Sequence, residues 1–71
     1  MYKWLKQVLR CQDKKTKVIT REGATYLCTP LQPLEEDEES YLFEITEDSN
    51  GHYKGQLIEI TGDKILSIEL V

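Results

Sequence analysis

Cysteine, proline and histidine are all scarce in this chain of 71 residues, which holds two, two and one of them. Two cysteines, Cys11 and Cys28, with no CxxC, exclude a multi-disulfide scaffold and a zinc tetrad. A single Cys11–Cys28 bridge stays open to the chain, but two buried free thiols are the expectation. One histidine, His52, leaves no set of partners for a nucleophile–base pair. The serines are Ser40, Ser49 and Ser67, at a strand edge, in a turn and on an outward β position. The chain is therefore read as not an enzyme. No apolar run approaches the ~20 residues that a membrane helix needs. After Met1 the sequence YKWLKQVLR has no apolar leader core, so a cytoplasmic location is expected.

Basic residues are also scarce, everywhere but at the start. Seven of the nine lie in the first 21 positions, with Asp13 as the one acid among them, so that segment carries +6. Residues 22–71 carry −10. Such asymmetry speaks to partners rather than to fold.

Seventy-one residues make one domain, with a core that is small for its surface. Residues 1–14 read as a helix, because Met1, Trp4, Leu5, Val8 and Cys11 fall on one side at ~100° per residue. Lys3, Lys6, Arg10 and Lys14 fall opposite. An isolated helix of ~12 residues is marginal in water, so the apolar stripe must dock. From Thr16 the pattern turns to β: TKVITR and ATYLCT around the turn Glu22-Gly23, then SYLFEITE, HYKGQLIEI and ILSIELV. Pro30 and Pro33 are expected to end strand pairing, and the acids Glu35, Glu36, Asp37, Glu38 and Glu39 to form a solvated loop. Gly55 suggests a bulge within a strand. In the last strand Leu66, Ile68 and Leu70 are expected to point inward. The fold class is mostly β (α+β): an N-terminal helix and a five-stranded antiparallel bent sheet or small barrel over residues 16–71.

The layout of helix, then KVITREGATYLC, then LIEITGDKILSIELV resembles small Sm-like or SH3-like barrels, and within them the Rho-inhibitor family Rof. The stretch that carries the likeness is Gly62-Asp63-Lys64-Ile65-Leu66-Ser67-Ile68. The acidic block and the Pro30–Pro33 stretch depart from it. The resemblance implies a five-strand barrel behind a helix, and contact with RNA or with other proteins. It assigns no functional residue.

Two surfaces follow from the charges. Glu35, Glu36, Asp37, Glu38, Glu39 and Glu44 would offer an acidic face to a protein partner, with the 30–40 loop as an adaptable contact. Lys3, Lys6, Arg10, Lys14, Lys15 and Lys17 would meet nucleic-acid phosphates, with Tyr26, Tyr41 and Tyr53 open to base stacking. The bland counterparts are a solvated loop and the outer face of a docked helix. Head-to-tail association of copies through the two charges is a third outcome. Asp48-x-Asn50-Gly51 resembles part of a calcium loop but lacks the further ligands at the required spacing. No cofactor and no metal are expected.

Overall fold

Three residues decide the shape of the sheet. The structure, a computed structural model, describes residues 3–34 and 37–71, with only the backbone for Asp37 and Glu38. These residues form a helix α1 (Lys3–Arg10) and strands β1 (Thr16–Thr20), β2 (Thr25–Leu34), β3 (Asp37–Ile45), β4 (Leu57–Thr61) and β5 (Ile65–Leu70). All neighbouring strands are antiparallel, in the order β4-β3-β2-β1-β5. The first and last strands of that order are joined only by a 3-10 turn, Gly62–Lys64. Such a turn rises ~2.0 Å per residue, whereas the outer strands of a flat five-stranded sheet lie about 19 Å apart. The sheet must therefore curl until its edges approach, and the curl encloses one core.

Alternation fills that core. Tyr41, Phe43 and Ile45 of β3 are buried, as are Ile58 and Ile60 of β4, Val18 of β1 and Cys28 of β2. Glu44 and Glu59 fall between them and are exposed. Thr16 faces inward on β1, and its hydroxyl donates to the Cys28 carbonyl at 2.7 Å, so burial leaves no unpaired hydroxyl.

The helix seals one end of the curl. Val8 is fully buried, Cys11 is buried, and Trp4 and Leu5 pack on the core, as the apolar stripe requires. Trp4 lies flush against Gly62, where a side-chain methyl would fall 1.8 Å from Cε2 of the indole. Beyond the helix the Gln12 side-chain amide donates to the Leu31 carbonyl, and its Oε1 accepts from the Tyr41 hydroxyl. The helix is shorter than residues 1–14. It stops at Arg10, and Asp13 at φ 62° turns the chain into β1, so Lys14 lies beyond it. Residues 1 and 2 lie outside the described set.

Four expectations are corrected. Pro30 and Pro33 do not end the pairing: β2 runs through both, with Pro30 opposite Phe43 and Pro33 opposite Tyr41. The reason is that β1 reaches only to Cys28, so the β1 side of β2 is already an edge there. The Pro30 carbonyl accepts from Asp13 N, which places the donorless Pro30 nitrogen on that edge. Second, residues 30–34 and 37–40 are therefore not loop but strand, with Leu34 pairing with Asp37, while Glu35 and Glu36 lie outside the described residues.

Third, residues 52–56 are not strand. Asn50 at φ 48° and Gly51 at φ 82° make the tight turn of a Ser49–His52 bridge. A second turn then closes from Gln56 N to Tyr53 O, with Gly55 at φ 89° inside it. Fourth, Gly55 lies in a turn, and the register shifts fall elsewhere, at Pro30/Gln32 and Pro33/Leu34 of β2 and in β5, where Ile19 pairs with Ser67 but Thr20 with Ile65, which expels Leu66 outward. Leu66 and Leu70 are exposed, and Ile65 takes the buried place.

Gly62→Ala is expected to destabilise the fold by about 1–3 kcal/mol, because the added methyl overpacks the Trp4 seat. Thermal unfolding followed by Trp4 emission checks this, and an unchanged midpoint would refute the seat. Phe43→Ala empties the centre of the core and is expected to cost about 3–5 kcal/mol in denaturant titration.

Candidate functional surfaces

The outer face of β3 and β4 is built by the same alternation that fills the core. In the β3–β4 register Leu42 lies across from Glu59, and Glu44 across from Leu57. Acid and leucine thus alternate along both strands and across them. Leu57 is 55% exposed, Glu44 and Glu59 are exposed, and Leu42 is half-buried. Directly paired residues approach within ~5 Å at Cβ, so each carboxylate has a leucine across from it. Glu44 also lines a shallow cleft with Lys15 and Lys54, and Glu59 one with Lys64, without forming an ion pair there.

The six acids singled out from sequence are brought only partly together. Glu44 belongs to this checkerboard. Glu39 is exposed near the start of β3. Asp37 and Glu38 continue β3 as backbone, and Glu35 and Glu36 lie outside the described residues. The sequence puts Leu42 on the face of Glu44 but does not single out Leu42, Leu57 or Glu59 as site residues. Their signal was present in Leu57–Thr61, where Leu57 shares the phase of Glu59 rather than that of Ile58 and Ile60.

The basic residues lie mainly on α1 and the turn after it, and Lys15 reaches the cleft that Glu44 lines. Lys3, Lys6 and Arg10 lie exposed on α1, Lys14 and Lys15 are exposed on the turn after it, and Lys17 is half-buried on β1 opposite Glu69. None of the six forms an ion pair among the described residues, where the pair found is Lys64–Glu22 at 3.5 Å. Of the tyrosines proposed for stacking, Tyr41 is buried and Tyr26 packs its ring 5.4 Å from that of His52. Tyr53 is 72% exposed. Burial, with the Asp13 carboxylate, pushes the Tyr41 hydroxyl above its usual range.

His52 holds its place in the turn through backbone bonds with Ser49 in both directions. Its Nδ1 is buried and has no hydrogen-bond partner among the described residues. Asp48 Oδ1 accepts from Lys54 N at 2.8 Å, which ties the two turns together. Among the described residues no three His, Cys, Asp or Glu side chains converge as ligands. Nor is any described helix long and apolar enough to cross a membrane. Comparison with models of known families, with curated proteins and with solved structures finds no match to this chain.

Both cysteines are free and buried. Burial pushes the Cys28 thiol up from 9.0 to about 11, partly offset by a hydrogen bond with Thr16. A nucleophile needs the opposite shift. A thiol that is harder to ionise in the fold stabilises it fully below the unfolded value, and that contribution fades as pH climbs from 9.0 to about 11. At ~1.4 kcal/mol per unit this amounts to roughly 2–3 kcal/mol. Denaturation midpoints measured on either side of this range should therefore fall more steeply for the native chain than for Cys28→Ala. A gap between the two that does not change with pH would remove Cys28 as the cause.

Proposed function

We propose that this chain is a non-enzymatic interaction module whose outer β3–β4 face binds a basic protein surface. One observation carries the reading: exposed leucine and exposed carboxylate alternate across two paired strands. Leu57, 55% exposed, adds hydrocarbon to the charge of that face. A protein interface uses both kinds of residue, with hydrocarbon giving affinity and charge giving steering and choice of partner. Glu35 through Glu39, which precede Glu44 in the sequence, would extend the charge. The contact would be made on paired strands, so little ordering cost attends binding. The helix-first layout and the order β4-β3-β2-β1-β5 support the relationship to Sm-like and SH3-like barrels suggested by the sequence. The cytoplasm suits two free thiols.

A second reading rests on the exposed cations. Lys3, Lys6, Arg10, Lys14 and Lys15 stand unpaired among the described residues and suit the phosphates of RNA. Against it, Tyr41 is withdrawn into the core and Tyr26 onto His52, which leaves Tyr53 as the exposed ring for a base.

Two experiments separate these. Glu44→Gln with Glu59→Gln and Leu57→Ser alters exposed side chains only, so the fold should persist while partner capture falls at least tenfold. Retention of the same partners by the triple variant would overturn the acidic-face reading. Labelled RNA titrated at low and moderate salt tests the second. Binding with a log–log salt slope of several charges, abolished by Lys14→Glu with Lys15→Glu, would establish it, and no binding at low salt would dismiss it.

A further inference from the structure

A cleft of about 260 Å³ opens between α1 and the start of β5. Lys3 and Trp4 line it from the helix, and Arg21, Asp63, Ile65 and Leu66 from the other side. Its apolar part is made by Ile65, which is buried, by the half-buried indole and by Leu66. Leu66 is there because the β5 bulge turns it out, leaving it 57% exposed beside the indole's cleft. β5 also ends the strand order, so no hydrogen-bonded neighbour covers its outer side.

The polar part is held in place. Arg21 Nε donates to the Asp63 carbonyl at 2.9 Å, and Arg21 N donates to the Lys64 carbonyl at 2.8 Å. Anchorage at Nε fixes the plane of the guanidinium. Its two terminal amino groups make no further hydrogen bond or ion pair among the described residues. A guanidinium oriented in this way is suited to a carboxylate, which takes two parallel N–H bonds. Lys3 adds a second positive charge against the single carboxylate of Asp63.

We propose that this cleft docks an extended acidic peptide. An apolar side chain of the peptide lies against Trp4 and Leu66, and a neighbouring carboxylate is held by the terminal amino groups of Arg21. Charge complementarity sets the sign of the ligand. The exposed leucine selects a peptide over a nucleic acid, whose phosphates would satisfy Arg21 and Lys3 but leave Leu66 facing water. The proposal does not rest on the acidic-face reading, and either can fail alone.

Trp4 is the one tryptophan of the chain, so its emission reports on the cleft directly. The whole chain is titrated with an end-capped peptide alternating glutamate and leucine, with its lysine–leucine counterpart, and with a uridine oligonucleotide of equal length. The expected result is a saturable shift of Trp4 emission with the acidic peptide alone. Arg21→Gln should weaken it about tenfold, with Arg21→Lys intermediate and Leu66→Ser also weakened, which at ~1.4 kcal/mol per decade is the scale of one charge-assisted pair. Circular dichroism confirms that the variants stay folded. No saturable shift up to about 1 mM peptide, equal binding of the basic peptide, an oligonucleotide giving the same shift, or unchanged affinity in Arg21→Gln each overturns the proposal. An emission shift that follows protein concentration alone, with dimer on gel filtration, also overturns it, since the occupant would then be a second copy.

Discussion

The shortness of the link between β4 and β5 is the constraint on which the rest depends. Gly62, Asp63 and Lys64 join strands at opposite ends of the sheet order. Because they cannot span a flat sheet, the sheet rolls and a core of β-branched and aromatic residues closes inside it. The same link sets Gly62 under the Trp4 ring. That seat matters because a helix of eight residues does not persist alone in water. With Trp4 seated, Val8 reaches the core, and Gln12 arrives where it bonds both Leu31 and Tyr41. The helix is thus fastened at both ends, by packing at one and by hydrogen bonds at the other.

Electrostatics contributes to this molecule mainly at its surface. The Lys64–Glu22 pair has both partners well exposed, and such pairs contribute roughly 0–1 kcal/mol. The cations of α1 point away from the core because the apolar stripe is docked beneath them. Glu44 on β3 and Glu59 on β4 point outward because their neighbours along each strand point inward. The two charge groups are a by-product of how the core is filled.

Much of the fold was legible in the chain. The stripe of Trp4, Leu5, Val8 and Cys11 and the alternation of Tyr41, Phe43 and Ile45 are periodic patterns, and local sequence carries them. What misled was context. Proline ends a strand only where its missing donor would be needed, and whether β1 runs alongside Pro30 is a matter of register between distant segments. Leu66 reads as inward by strict alternation, and a single bulge opposite Ile19 and Thr20 reverses it. His52 and Gly55 read as strand because turns that follow one another look like a poor strand with glycine in it. Of the candidate site, Glu44 was visible as charge, while its leucine neighbours required knowledge of which strand pairs with which.

The two prolines have one more consequence. Past Cys28 the flank of β2 loses β1 as its neighbour, and a bare strand flank is where stray chains zip on and grow into fibres. Pro30 stands on that flank with no hydrogen to offer, and Asp13 already occupies its carbonyl. The longest hairpin of the molecule thereby offers templated accretion one donor fewer on its open flank.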